Sequence, residues 1–348
     1  METDAIFSRL PEALLDWYEL NKRDLPWRNT RDPYAIWLSE IMLQQTRVEA
    51  VKKYYARFLS ALPTVEALAN ADGEYLRKLW EGLGYYSRVR NMQKAAVVIR
   101  EKFNGVFPKD YDTVLSLPGI GRYTAGAICS IAFGAKTPAV DGNVLRVVSR
   151  LTNDPTPTDL PAYRAQTENA LAQIYPDRAG AFTQALMELG ATVCGPNHTP
   201  MCDQCPCAGF CAGAAAGTAQ ALPVRRPKRE KRTEEMTVFI LHCAGRYALK
   251  KRADSGLLAS MWEFPNVPRK LNINAAIGTV EGMGAKPLEI IKTVERKHIF
   301  THVIWHMRGV YMETGEMCDA LQWFTPEQIR REIALPTAFR LFWEEAEI

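Results

Sequence analysis

At 348 residues the chain is longer than one ordinary hydrophobic core organises, so two domains are expected. Its longest apolar runs stop well short of the roughly 18 residues of a membrane span, and Glu2 and Asp4 stand where a secretory signal would be basic; a cytoplasmic, reducing setting without disulfides is expected. A formal charge of +4 permits a nucleic-acid partner but does not indicate one.

Residues 1 to about 193 read as helix after helix. Asp32-Pro33 is a start signal, and Tyr34, Trp37, Leu38, Ile41 and Met42 follow at helical spacing. Similar stripes run over Val51 to Leu59, Leu76 to Leu83 and Ala95 to Phe103, interrupted by Pro63, Gly84 and Gly105. Further helices are expected from Thr124, after Leu117-Pro-Gly-Ile-Gly121, and from Val144, after Val140-Asp-Gly-Asn143. Five of the eight cysteines then crowd between 194 and 211, whereas Cys129, Cys243 and Cys318 lie among apolar neighbours as small buried hydrophobes would. Ala212 to Ala221 is small and of low complexity, and Arg225 to Arg232 is charged without an apolar face, so this stretch reads as a linker that is solvated or touches phosphates. From Thr237 the pattern becomes β-rich, with strands expected at Val238 to Leu241, Tyr247 to Leu249, Val303 to Met307 and Val310 to Met312; Pro326 to Ala346 reads as helical. The expected division is 1–222 helical, 223–233 basic linker and 234–348 mixed α and β.

The first chemical signal is the hairpin. Gly119 and Gly121, one residue apart, permit backbone angles and close approach that side chains would block, and the helix that follows starts on bare amides. Such an end suits a phosphate and fixes a duplex without reading its sequence, although a tight turn between two structural helices would look the same. Asp141 and Asn143 could likewise be a helix cap and nothing more. Together, at this separation, hairpin and aspartate resemble the helix-hairpin-helix DNA glycosylase superfamily, in which the aspartate faces the sugar of an extruded nucleotide. A departing base develops oxocarbenium charge on the deoxyribose, which a fixed anion stabilises. Glu40, within Ser39-Glu-Ile-Met-Leu-Gln-Gln-Thr46, falls at the margin of its apolar stripe with Gln44 one turn on. It is either a surface residue or a half-buried acid whose raised pKa suits protonation of a purine, a role that gives about 100 to 10,000-fold. On the second reading Glu40 donates the proton and Asp141 stays charged.

With Leu25-Pro-Trp-Arg28 and Trp80-Glu-Gly-Leu-Gly-Tyr-Tyr-Ser87 added, these motifs resemble the MutY-type adenine DNA glycosylases over nearly the whole chain. The resemblance implies a multidomain fold: an all-α helix-hairpin-helix domain, with its hairpin at about 113–133 and an iron-sulfur loop at 194–211, and an α+β Nudix-like C-terminal domain. It implies excision of adenine mispaired with 8-oxoguanine or guanine in double-stranded DNA, by a monomer that is nucleoid-associated if bacterial. It implies that Glu40 protonates adenine N7 and that Asp141 stabilises the oxocarbenium ion, with Tyr123 and Asn143 in support. Trp27, Arg28, Leu43, Val48, Gln184 and Glu188 would line the adenine pocket; Gln45, Thr46 and Tyr85 would contact DNA, Gln45 and Tyr85 as wedges in the stack the base vacates. In Arg296-Lys-His-Ile-Phe-Thr-His302, Phe300, Thr301 and His302 would read the opposite base. A metal held by His298, His302 and His306 is disfavoured, since residues four apart on an extended chain stand about 13 Å apart.

Tyr123 separates the relatives, because the endonuclease III type carries a lysine here and cleaves through a Schiff base; tyrosine implies an enzyme that only hydrolyses the glycosidic bond. The alternatives are a pyrimidine glycosylase with lyase activity and a catalytically silent DNA-binding protein. Cys194-x7-Cys202-x2-Cys205-x5-Cys211 places four soft thiolates in one loop, as metal sites do, and the resemblance implies a [4Fe-4S] cluster. The family's first gap holds six residues rather than seven, and Cys207 is an extra candidate; Cys211 is preferred because it keeps the family's last spacing. Gly256 to Pro265 is similar to the opening of a Nudix fold, but no Arg-Glu and paired-glutamate run follows, so that domain is expected to bind without hydrolysing.

Overall fold

A computed structural model describes residues 3–196, 199–227 and 230–346. They fall into two compact units, one from the described parts of 1–70 with 91–227, the other from 71–90 with those of 228–348.

The first unit is helical throughout. It opens with α1 (Thr3–Asn21), α2 (Pro33–Leu43), α3 (Val48–Ala61) and α4 (Val65–Asn70); α5 (Gly73–Leu79) and the start of α6 (Ser87–Phe103) belong to the other unit, and α6 then runs back into the first. There follow α7 (Tyr111–Leu115), α8 (Arg122–Phe133), α9 (Gly142–Thr152), α10 (Pro161–Ala172), α11 (Ala179–Thr192) and the single turn α12 (Ala212–Ala215). Asp32 starts α2 as expected, its side chain accepting from the Tyr34 amide at 3.1 Å with Pro33 in the first turn. Leu10 and Leu14 of α1, Val144 and Leu151 of α9, and Phe182 and Leu186 of α11 share one core, joined by Phe210 of the cysteine loop. The expected linker is partly anchored: Arg226 pairs with Asp159 at 2.6 Å and Val224 O accepts from the Thr158 amide at 3.2 Å, so residues up to 227 group with this unit. Lys228 and Arg229 of the basic run lie outside the described residues.

The second unit is a mixed sheet of β1 (Arg232–Cys243), β2 (Arg246–Lys251), β3 (Trp262–Glu263), β4 (Asn266–Val267), β5 (Pro287–Ile299), β6 (Val303–Thr314) and β7 (Gln322–Phe324). Its order is β3-β2-β1-β6-β5, with β4 on β1 and β7 on β2. β1 runs parallel to β6, and β6 pairs antiparallel with β5. Alternate residues of β1 face two cores. Val238 and Ile240 meet Phe339, Phe342 and Trp343 of α15 (Thr337–Ala346), while Phe239 and Leu241 meet Ala276 and Val280 of α13 (Ile273–Gly282). The helix α14 (Pro326–Arg331) completes the unit.

Three expectations are corrected here, and one strand without a stated expectation is added. The two strands at 303–307 and 310–312 are one, because Gly309 replaces a side chain where a Cβ would meet the Phe342 ring at 2.5 Å, so the glycine that reads as a break is a packing site within β6. β5 escaped notice because it is an edge strand whose residues alternate between half-buried and exposed, with Lys292, Glu295, Arg296 and Lys297 diluting its apolar signal. Pro326 to Ala346 is two helices, interrupted where Pro336 disfavours helical backbone at Leu335. Finally, residues 71–90 were expected in the first domain yet group with the second: Glu74 accepts from Lys251 Nζ at 2.6 Å and Trp262 Nε1 at 3.1 Å, Lys78 Nζ donates to the carbonyls of Ile329 and Ile333 at 3.3 and 2.9 Å, and Glu81 takes the Leu335 amide at 3.0 Å. Among the described residues no helix is long and apolar enough to cross a membrane.

Candidate active site

Three helices of the first unit bring the expected carboxylates together. In α2 every residue from Tyr34 to Met42 is buried, so Glu40 does not sit at a helix margin; it is 5% exposed, not half-buried. α8 follows the hairpin, whose Gly119 has φ +77 and where a Cβ would meet that of Asn91 at 2.6 Å. Gly121 needs no such freedom: its φ is −99 and a Cβ there would meet nothing within 4 Å, so the open space lies over the amides of α8, which have no side-chain cap. Gly126 lets α8 lie against the chain that leads to Asp141, since a Cβ would strike Pro138 O at 2.1 Å. In consequence Tyr123 OH donates to Glu40 Oε2 at 2.5 Å. Asp141 does cap α9, Oδ1 accepting from the amides of Asn143 and Val144 at 2.9 and 2.8 Å and Oδ2 from Asn143 Nδ2 at 2.7 Å. Capping and a place in the pocket therefore coexist in one residue.

The pocket between them is lined by Glu40, Tyr123, Asp141 and Asn143 and also by Trp27, Arg28, Leu43, Val48, Gln184, Glu188, Gln45 and Thr46. Trp27 is buried and edge-on to Tyr55, with ring centroids 5.5 Å apart, so packing and pocket wall are again the same residue. Gln45 is exposed with φ 59, a left-handed backbone that turns its side chain out where α2 ends.

Burial pushes the Glu40 carboxyl up to about 7; the hydrogen bond from Tyr123 and the nearby Arg28 charge oppose the rise, while Asp141 adds to it. Burial also raises Asp141, against the hydrogen bonds from Val144 and Asn143 that favour its charged form. Tyr123 is held well above the ordinary phenol value, first by burial and then by the charges of Glu40 and Asp141. Glu188 goes the other way: burial would raise it, but hydrogen bonds from Arg23 and Arg28 outweigh that and hold it at about 2.

Sequence reasoning missed several groups. Arg23 and Arg164 line the pocket, and Arg164 donates to the Val140 carbonyl just before Asp141. Arg146, 2% exposed, donates to Asn143 Oδ1 at 2.9 Å, Gly190 O at 2.7 Å and Cys194 O at 2.9 Å, tying the residue beside Asp141 to the cysteine loop. Helical spacing placed Arg146 on α9, but no local pattern marks a buried arginine whose partners lie about 45 residues away.

The remaining expected DNA contacts lie in the second unit. Tyr85, half-exposed with φ 48, shares a hydrogen bond of 3.0 Å with Thr301 Oγ1. Thr301 and His302 are exposed in the turn between β5 and β6. Phe300 is already engaged, its ring 4.5 Å from His298 and 4.7 Å from Trp305, so it anchors the turn instead of projecting from it.

Cys194, Cys202, Cys205 and Cys211 line one small cavity, walled by Leu151, Leu189 and Arg150; Cys207 is buried in the adjoining core and does not line it. Arg150 Nη1 donates to Cys194 Sγ at 3.2 Å and to the carbonyls of Cys194 and Gly195, both at 3.0 Å, and so ties α9 to the start of the cysteine loop. Among the described residues no three His, Cys, Asp or Glu side chains converge on one metal ion. In a four-iron cluster each iron takes its own thiolate, so convergence on a single point is not required. Residues 197 and 198 of the lengthened first gap lie outside the described residues.

With this geometry in hand, residues 38–174 match the model of the HhH-GPD superfamily of base excision DNA repair proteins, and residues 237–345 match a NUDIX domain. An adenine DNA glycosylase of Arabidopsis thaliana is 36% identical over 357 residues, spanning 86% of this chain and 56% of that protein, so the chain covers little more than half of that relative. One from Buchnera aphidicola is 31% identical over 307 residues, 86% of this chain and 85% of its own. Among solved structures, a thermostable thymine-DNA glycosylase superposes with a TM-score of 0.57 at 28% identity, over 62% of this chain and 99% of that one. The helix-hairpin-helix unit and the Nudix-like sheet are thus both accounted for, and the chain belongs to the adenine DNA glycosylase family.

Proposed function

We propose that this chain is a monofunctional adenine DNA glycosylase that hydrolyses the N-glycosidic bond of adenine opposite 8-oxoguanine, or guanine, in base excision repair. One observation carries the reading: a buried carboxyl, Glu40, poised near neutrality and hydrogen-bonded to Tyr123, lines the same pocket as a second carboxyl, Asp141, that is fixed by three hydrogen bonds. Glu40 passes its proton to adenine N7; the C1′–N9 bond breaks with its electron pair going to the base; Asp141 stabilises the cation left on the sugar; water adds at C1′ and its proton returns to Glu40. Trp27, Leu43 and Val48 supply apolar wall, and Gln45 and Tyr85 fill the vacated stack. The uncapped amides of α8 hold a backbone phosphate, while Thr301 and His302, with Phe300 as their anchor, face the opposite base. The wedge Tyr85 and Thr301 are already hydrogen-bonded to each other, which supports a shared role.

Tyr123 offers no amine for a Schiff base, so the product is an intact strand with an abasic site. The cavity-lining Cys194, Cys202, Cys205 and Cys211 would hold a [4Fe-4S] cluster, which would supply four iron–thiolate bonds that cross-link the 194–211 loop under α9. The helical unit, the basic connection and the sheet unit would act as one monomer on duplex DNA in the cytoplasm or nucleoid. α13 contains a single carboxylate, Glu281, too few to hold magnesium as Nudix hydrolases do, which supports a binding role for the sheet domain.

The test uses duplexes with adenine opposite 8-oxoguanine, the reaction being split with and without alkali. Strand cleavage only after alkali is expected. Cleavage without alkali would show a lyase, and no cleavage a silent binder. Iron with sulfide in the purified protein is expected, and zinc in its place would overturn the cluster.

A further inference from the structure

Proton transfer and base extrusion leave one feature of the pocket without a role, the two arginines closed on Glu188. Its carboxylate is 0% exposed and accepts four hydrogen bonds: Oε1 from the amide of Arg23 at 3.0 Å and from Arg23 Nε at 2.7 Å, Oε2 from Arg23 Nη2 at 2.7 Å and from Arg28 Nη2 at 2.6 Å. Two lone pairs per oxygen are then filled. An incoming base can bond to Glu188 only if a donor leaves. Arg23 holds it three times over, side-on and through its own amide. Arg28 holds it once, and keeps other contacts when released, through Nη1 to Arg23 O at 3.0 Å and over the Tyr18 ring at 5.5 Å.

We propose that Arg23 is the specificity-determining residue of the pocket: it locks Glu188 as a permanent anionic acceptor, which exchanges Arg28 for the 6-amino group of adenine and rejects a 6-oxo purine. This rests on the reading of the pocket as an adenine site. An ionised carboxylate can only accept, so the amino group of adenine finds a partner, whereas the carbonyl of hypoxanthine or guanine presents a lone pair to the lone pairs of a fully buried carboxylate. Discrimination of this kind, where a buried polar group is left unpaired, is far stronger than shape alone provides. Arg23 acts on the base through Glu188 and is a positioning residue in that sense.

The experiment compares excision of adenine and of hypoxanthine, each opposite 8-oxoguanine, by the whole chain as purified, as wild type, Arg23→Gln and Arg23→Lys, from pH 5.5 to 8. The other titratable groups around Glu188 are Tyr18, which ionises far above this range, and Glu40 and Asp141 across the pocket; their titration acts on both substrates and cancels in the ratio. For wild type a large adenine-to-hypoxanthine ratio that is flat with pH is expected. Arg23→Gln is expected to lower it by about tenfold or more, increasingly toward acid as Glu188 takes up a proton and donates it to O6. Arg23→Lys, which keeps charge without the side-on fork, is expected to fall between, and carries the test alone if the glutamine variant does not fold. Equal slowing of both substrates with an unchanged, flat ratio would overturn the assignment. Wild type that removes neither base would overturn the adenine reading along with it, whereas wild type that removes adenine leaves that reading standing whatever Arg23 does.

Discussion

Replacing Glu40 with glutamine should weaken the enzyme and strengthen the fold, and the two effects share one cause. Burial lifts the Glu40 carboxyl from 4.5 to about 7. Below pH 4.5 the native and unfolded chains both hold the proton, so the raised value has no effect. Between 4.5 and about 7 the unfolded chain ionises while the native one does not, and stability falls as pH rises. Above 7 the loss is complete; at about 1.4 kcal/mol per pH unit it amounts to about 3 kcal/mol. Glutamine keeps the shape and never ionises. The Glu40→Gln variant is therefore expected to match wild type near pH 4.5 and to exceed it by about 3 kcal/mol at pH 8, or about 6 to 12 °C in melting midpoint for a unit of this size. Its excision rate should fall by about 100-fold or more, and the wild-type rate should itself decline above pH 7 as the acid ionises. Thermal unfolding of both proteins at the two pH values, with single-turnover excision alongside, measures each effect. A stability difference that is the same at both pH values would refute the burial argument, and full excision by the variant would refute the acid.

Three further outcomes follow from the same geometry. Tyr123→Phe removes the hydrogen bond that favours ionised Glu40, so the alkaline limb of the rate profile should move to higher pH; an unmoved limb would separate Tyr123 from the acid. Gly119→Ala forces a side chain onto φ +77 and against Asn91, which should cost about 1 to 3 kcal/mol in a melting experiment and weaken DNA binding, and a neutral variant would contradict the hairpin geometry. Arg146→Gln removes three hydrogen bonds, to Asn143, to the buried Gly190 carbonyl and to Cys194, and should lose about 3 kcal/mol or more together with excision rate; retention of both would show that α9 does not depend on this link.

Much of the pocket is legible in the sequence because its residues sit at local signals: the Asp32-Pro33 helix start before Glu40, the glycines of the hairpin before Tyr123, the Asp-Gly-Asn turn before α9. Those are short-range properties of the chain, as is the crowding of cysteines between 194 and 211, and each survives folding because it concerns a cap, a turn or a spacing. Adenine itself came from resemblance, since no spacing of residues specifies a base.

Folding decided what depends on partners distant in sequence. Periodicity put Glu40 at a helix margin, yet a helix packed on every side has no margin, and the closing of that last side is what raises the carboxyl toward neutrality. Gly309 read as a break until the Phe342 ring supplied a reason for it, and residues 71–90 read as part of the helical domain until Lys251, Trp262 and Leu335 claimed them. Charge by sequence leaves Arg23, Arg28 and Glu188 as three scattered ions; only the fold joins residues 165 apart into a saturated carboxylate, because burial makes an unpaired charge too costly to leave alone.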